Sequence, residues 1–188
     1  MSRLMLSLIA ALLCCQLNAA AQGTEPVTEL TVPLDAEGFD CEKAFDLVAM
    51  MVVARCALYQ APAGASIAIA AASTRLREEQ LVSVEELTRT TINFCPLAAG
   101  TGMVPTPHQL YLDDGLLSMS ADGLAEILAH ELEHVQQFLR LGTRAFKCQY
   151  VRDMLACGGC QDRGHGLEAA AYGRQDQVRA RLSAAAGR

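Results

Sequence analysis

Two histidines separated by three residues, His130 and His134, form the most chemically specific pattern in this sequence. They belong to the segment His-Glu-Leu-Glu-His, an instance of H-E-x-x-H, inside a stretch with helical periodicity. On an α-helix the two side chains lie one turn apart, with Cβ atoms about 5–6 Å from each other, so both imidazoles can bind one metal ion from the same side. The spacing therefore predicts a metal site, and Zn²⁺ is the ion that this pattern typically holds.

The two glutamates of this segment are predicted to point in opposite directions. At about 100° per residue, the apolar side chains form one arc that contains Glu131, whereas Glu133 lies on the opposite face. The arc consists of Leu124, Ile127, Leu128, Leu132, Val135, Phe138 and Leu139. A carboxylate in a buried arc is costly unless a metal, a proton or a partner compensates it. We therefore expect Glu131 to be a catalytic general base beside the metal, and Glu133 to be an ordinary surface residue.

The elements that must position these residues are a mixture of helices and strands. Helical periodicity runs from Asp40 to Tyr59, and an alanine-rich region from Ser66 to Leu87 predicts one or two further helices. β-branched and alternating residues predict strands at Thr90–Cys95 and Gln109–Leu112, separated by a Gly/Pro-rich loop from Pro96 to Pro107. The predicted fold class is therefore α+β, with N-terminal helices, a small sheet, the metal-site helix and a C-terminal helix.

The metal-site helix has its own start and stop signals. Ser120 and Asp122 suit its N-cap and first turn, and Gly142 suits its end. The strand Gln109–Leu112 comes shortly before this helix, and an extended peptide can add to the edge of a strand by main-chain hydrogen bonds. We therefore expect that strand to bind a substrate peptide.

The N-terminal segment is typical of an export signal. The apolar run Leu4–Leu13 is followed by Ala19–Ala21, a small-residue cleavage pattern. That run is well short of the roughly 20 residues needed to span a bilayer. We expect a signal peptide over residues 1–21 and a single domain over residues 22–188, in the periplasm or secreted, without a stable membrane anchor.

Six of the eight cysteines follow the predicted signal peptide. They are Cys41, Cys56, Cys95, Cys148, Cys157 and Cys160. An even number in an exported protein indicates up to three disulfides. Cys41 and Cys56 would lie about 22 Å apart on one unbroken helix, so each is expected to bond to another element.

The sequence from the second strand into HELEHVQQF resembles the HELxHVxQ motif of a family of bacterial zincin-like metallopeptidases, which includes domains found with contractile injection systems. The similarity extends from about Ile92 to Tyr172, and Gly142, Phe146 and Tyr150 lie at positions that resemble the family. This resemblance implies a zincin-like fold, a bound Zn²⁺ and hydrolysis of peptide bonds.

The resemblance also implies a third metal ligand. In zincins of the gluzincin type, a glutamate on a later helix completes the site, and Glu168 is the matching position here. The implied ligand set is His130, His134 and Glu168. His165 is the alternative third ligand, and Asp162 is a less favoured alternative.

The sequence differs from two known classes of zincin at positions near the metal ligands. Metzincins carry a glycine and a third histidine after the second histidine, whereas Gln137 and Arg140 stand here, and this excludes that class. Gluzincins of the thermolysin type often have an aspartate four residues after the ligand glutamate, where this chain has Tyr172. Either Tyr172 or His165 is a candidate for stabilising an oxyanion.

The net charge of the chain limits the classes of molecule that it is expected to bind. The formal net charge of −6 makes nucleic acid an unsuitable partner and favours a peptide or protein substrate, with a mild bias toward basic partners. Two other functions remain open: a zincin-fold binding module that holds zinc without cleaving, and a disulfide-stapled helical protein whose HELEH segment is structural. The sequence does not indicate an oligomeric state.

Overall fold

The fold is α+β, as predicted, in a computed structural model that describes residues 39–97, 100–157, 163 and 166–187. Its helices are α1 (Cys41–Cys56), α2 (Ala65–Glu78), α3 (Val84–Arg89), α4 (Ala121–Leu141), α5 (Thr143–Ala156) and α6 (Gly166–Ala186), and its strands are β1 (Thr91–Cys95), β2 (Gly102–Thr106) and β3 (Gln109–Asp113). The predicted signal peptide lies outside the described residues, as do Asp162 and His165.

Helix α4 carries the H-E-x-x-H segment and begins and ends at the predicted residues. The Ser120 hydroxyl accepts a hydrogen bond from the Gly123 N–H at 3.1 Å, and Gly142, with a φ of 80°, follows the last turn. The predicted apolar arc is largely buried, but Leu139 is 52% exposed. Leu139 lines a surface groove beside α3 and the β2–β3 turn, so its assignment to the core was wrong.

The sheet has the strand order β1-β3-β2, with β1 parallel to β3 and β2 antiparallel to β3. Two expectations were therefore wrong. The predicted loop Pro96–Pro107 contains β2, whose Gly102 and Pro105 hide the usual strand signal. The strand expected to bind substrate, β3, is the central strand, so its main chain is already paired on both sides, and β2 is an edge strand.

Helix α4 lies at the centre of the fold and contacts α2, α5, α6 and β2. Because α6 packs along α4, the face of α4 that carries Glu133, which was predicted to be exposed, is partly covered. Glu133 is half-buried there, with its carboxylate 2.7 Å from Arg140 and 3.5 Å from Arg174 of α6. The expectation for Glu133 missed this ion-pair network, because periodicity within one helix does not reveal which neighbour packs on it.

Two disulfides attach both ends of α1 to other elements, as the geometric argument required. Cys41 bonds to Cys148 of α5, and Cys56 bonds to Cys95 of β1. In the chain-entropy account, closing a loop of about 100 residues stabilises a fold by roughly 4–5 kcal/mol. Cys157 is disulfide-bonded as well. These crosslinks are compatible with an extracellular or periplasmic location.

None of the helices in the described ranges combines the length and the apolar character needed to cross a bilayer.

Candidate metal centre

The one-turn spacing of His130 and His134 places their rings next to each other on α4, with ring centroids 5.0 Å apart. The two residues are only 8% and 5% exposed. The His134 ring makes edge-on contacts with Phe146 and Tyr150 of α5, at centroid distances of 6.2 and 6.0 Å. This packing restricts the ring to an orientation in which Nε2 points toward the start of α6.

Glu168 reaches the two histidines from the first turn of α6. Its Oε2 lies 3.2 Å from Nε2 of His130, and its Oε1 lies 3.5 Å from Nε2 of His134. One donor atom from each of the three buried side chains lies within 4.8 Å of the others. Two imidazole nitrogens and one carboxylate oxygen in this arrangement can hold a metal ion.

Several contacts fix the position from which Glu168 is presented. The Tyr150 hydroxyl donates to Glu168 Oε1 at 3.1 Å. One residue earlier, the Leu167 N–H donates to Asp153 Oδ2 at 3.4 Å, and the Leu167 carbonyl accepts from Gln137 Nε2 at 2.8 Å. Helices α4 and α5 therefore both hold the first turn of α6.

Glu131 is buried near these three donors but is not one of them. The residue is 6% exposed, and its carboxyl group packs against β2 at Gly102. A Cβ atom added at Gly102 would lie only 2.6 Å from Cδ and 3.1 Å from Cγ of Glu131. Burial raises the pKa of the Glu131 carboxyl above its ordinary value. A buried carboxyl group is thus kept beside the candidate metal centre without being one of its three donors.

The metal-free centre holds opposite charges. Burial alone would raise the pKa of Glu168, but the hydrogen bonds and charges of His130 and His134 outweigh it and hold that pKa well below its usual range. Burial alone would lower the pKa of His134, but Glu168 and Glu131 raise it to about 9, assisted by Gln137. At neutral pH, His134 is therefore protonated when no metal is bound.

This protonation predicts that metal binding releases a proton at pH 7. A metal ligand must be deprotonated, so a metal ion has to displace the proton from His134. Below pH 9, the apparent affinity should fall by about tenfold per pH unit for each displaced proton. Calorimetric titration in two buffers of different ionisation enthalpy measures the number of protons released, and a value of zero would contradict the prediction.

The stability of the metal-free protein should follow the same pKa. The pKa of His134 is raised above the 6.5 that is ordinary for histidine. The stabilisation from its charged form is therefore fully present below about pH 6.5 and is lost as the pH rises through about 9.

A cleft of about 420 Å³ lies over the centre. Helix α4 contributes His130 and Glu131 to its floor, and residues 100–104, which include the start of β2, form one wall. Helices α1, α5 and α6 also line the cleft, with Val48 and Met154 among the lining residues. Apart from the two histidines, Glu131 and Glu168, the described lining residues carry no charged side chain.

Tyr172 lies on α6, four residues after Glu168. Its ring meets the ring of His130 edge-on at 4.6 Å and lines the cleft. Within the described residues, Nδ1 of His130 is buried without a hydrogen-bond partner. The described contacts that orient His130 are therefore the ring of Tyr172 and, at Nε2, the carboxylate of Glu168.

The structure brings together the three side chains expected to bind metal and places Glu131 next to them. Sequence reasoning missed the supporting residues. The sequence indicates Gln137 only as a departure from metzincins, and Tyr150 only as a position that resembles the family. Gly102 lay in a predicted loop. A signal for Gln137 did exist, because a polar residue three positions after His134 lies on the same helix face.

No protein-family model, no curated protein and no solved structure matches this chain. The geometry of the centre and of its cleft is therefore the basis for inferring a function.

Proposed function

We propose that this protein is an exported, zinc-dependent peptidase. The observation that carries the proposal is the convergence of His130, His134 and Glu168 around one point, with the carboxylate of Glu131 held separately in the same cleft. Burying four polar side chains close together is costly, and a helix with a purely structural role would have no need of it. The disulfides support the exported location.

The donor set fits Zn²⁺ better than the hard cations. Calcium and magnesium prefer oxygen ligands, whereas two imidazoles and one carboxylate are a common catalytic zinc set that leaves a coordination position open. Zinc at such a site lowers the pKa of a water molecule toward about 7 and polarises a carbonyl group.

The residues of the chain supply the proton transfers. Glu131 accepts a proton from the attacking water and passes it to the leaving amine. Its burial favours this role, because a raised pKa brings the carboxyl closer to the operating pH. Tyr172, which lines the cleft beside His130, is the described side chain that we propose as the donor to the oxyanion.

The cleft favours an extended peptide as substrate. Strand β2 is an edge strand of the described sheet and lines the cleft, so its main chain can pair with an extended segment. We assign the binding of the substrate peptide to β2 and not to β3, because β3 is the central strand of the sheet. Because the walls beyond the metal centre are uncharged, we propose that uncharged side chains flank the scissile bond, even though the net charge of the chain had suggested basic partners.

The metal content of ligand variants tests the proposed site. Wild-type protein should hold about one zinc per chain, whereas His130→Ala and Glu168→Ala should hold almost none, because each removes one of three ligands. The matched control is His108→Ala, since His108 is exposed in the β2–β3 turn. Elemental analysis gives the metal content, and digestion of a peptide library with and without a chelator detects hydrolysis.

The outcomes separate the three possible functions. Zinc binding with chelator-sensitive cleavage is the expected result for a peptidase. Zinc binding without cleavage would indicate a binding module. Absence of zinc from the wild-type protein would indicate that the HELEH segment is structural.

A further inference from the structure

The second glutamine of HELEHVQQ, Gln137, is not accounted for by the ligands or by the general base. It lies one turn after His134 on α4 and is only 2% exposed. The preceding Gln136 is half-buried and lines the surface groove beside α3. A fully buried amide must have both its donor and its acceptor satisfied to be tolerated there.

Both ends of the Gln137 amide are used, and each end reaches a different part of the metal centre. Its Oε1 lies 2.9 Å from Nδ1 of His134, and its Nε2 lies 2.8 Å from the carbonyl oxygen of Leu167. Leu167 directly precedes Glu168 in the first turn of α6. One side chain therefore spans from a ligand on α4 to the residue before a ligand on α6.

The hydrogen bond to Leu167 fixes the orientation of the Gln137 amide and therefore the direction of the hydrogen bond with His134. A backbone carbonyl can only accept, so the Gln137 NH₂ group must face Leu167, and Oε1 must face His134. Nδ1 of His134 must then carry a hydrogen and donate it. The Nε2 lone pair of a neutral His134 consequently points toward Glu168, which is the orientation a metal requires.

We infer that Gln137 is a positioning residue of the metal centre, because its amide fixes the ring of His134 and the first turn of α6 that presents Glu168. The inference rests on the proposed metal site but not on hydrolysis. The two histidines differ in this respect, since Nδ1 of His134 contacts Gln137, whereas Nδ1 of His130 has no hydrogen-bond partner in the described part of the chain.

The test compares Gln137→Leu, Gln137→Glu and the matched control Gln136→Leu. Loss of a group that orients a metal ligand typically costs about 10- to 100-fold in metal affinity. We expect a loss of this size for Gln137→Leu in a Zn²⁺ competition titration against a chromophoric chelator, and no change for Gln136→Leu. Gln137→Glu keeps an acceptor for His134 but faces the Leu167 carbonyl with another acceptor, so it should restore part of the affinity lost in Gln137→Leu.

A second measurement separates positioning from general stability. In zinc-loaded protein, nitrogen-15 spectra of the histidine rings should show the His134 Nδ1–H protected from exchange in the wild type. In Gln137→Leu it should exchange at least tenfold faster, whereas the His130 ring signal should not change. A variant that was merely less stable would alter both rings together.

The inference is overturned if Gln137→Leu binds Zn²⁺ as tightly as the wild type, or if Gln136→Leu loses as much affinity. It is also overturned if Gln137→Leu and Gln137→Glu lose equal affinity while the protection of the His134 Nδ1–H is unchanged. A protein that binds zinc but cleaves no peptide would defeat the proposed hydrolysis and leave this inference standing.

Discussion

Glu131→Gln is expected to lower peptide hydrolysis by at least about 10², the lower end of what a positioned general base contributes, while the zinc content stays at the wild-type level. The amide has nearly the shape of the carboxyl group but cannot accept and return a proton. Glu131 is not one of the three converging donor groups, so its replacement removes no ligand. Paired assays of zinc content and peptide cleavage measure the two effects on the same sample.

The fold should tolerate this change. Burial raises the pKa of the Glu131 carboxyl, so ionisation of this group is less favourable in the folded protein than in the unfolded chain. Its contribution to stability is therefore greatest below 4.5, the ordinary pKa of a glutamate, and falls as the pH rises above that value. Glutamine cannot ionise, and the unfolding temperature of Glu131→Gln at neutral pH should not be lower than that of the wild type.

The matched control is Glu133→Gln, two residues further along the same helix. Glu133 pairs with Arg140 and Arg174, away from the donor atoms of the centre. Partly exposed ion pairs of this kind contribute about 1 kcal/mol or less, so zinc content and cleavage should be nearly unchanged. Cleavage by Glu131→Gln at the wild-type rate would contradict the mechanism, and loss of activity only in Glu133→Gln would mean that the other face of α4 carries the chemistry.

The parts of the fold that were predicted correctly depend on local chemistry. The ends of α4 follow from the hydroxyl of Ser120 and the backbone freedom of Gly142, both of which act within one helical turn. The proximity of His130 and His134 follows from the helical repeat alone. Because these effects need no knowledge of neighbouring elements, the sequence is sufficient to predict them.

The missed features depend on which elements meet. Gln137 acquires a role only because α6 places the Leu167 carbonyl against it, and Glu133 is covered only because α6 brings Arg174 across α4. Strand β2 has a proline and a glycine within five residues, and it is a strand because β3 offers a free edge. Such features are set by tertiary packing, which overrides local propensity.

Gly102→Ala is expected to reduce hydrolysis by about 10², since a misplacement of about 1 Å can cost that much, without loss of zinc. The new Cβ would overlap the carboxyl end of Glu131, at 2.6 Å from Cδ. The backbone of β2 is held in register with β3, where Gly102 pairs with Leu112. The Glu131 side chain is the more mobile partner, so it should be displaced from the position in which it accepts the proton.

The three ligands and the fold should be little affected by this change. The three heavy atoms nearest to the added Cβ all belong to Glu131, and none belongs to a ligand side chain. An alanine also lowers the entropy of the unfolded chain, which offsets part of the cost of moving Glu131. Gly64→Ala is the control, because a Cβ atom at Gly64 meets nothing within 4 Å.

Combining the two substitutions shows whether Gly102 acts through Glu131. If the only effect of Gly102→Ala is to displace the general base, it should cost about 10² in the wild type and almost nothing in protein that already carries Glu131→Gln. Two residues that act on one step in this way are strongly non-additive. Equal losses in both backgrounds would instead mean that the alanine obstructs the substrate on the edge of β2. Wild-type cleavage by zinc-loaded Gly102→Ala would mean that the contact between β2 and Glu131 does not position the base.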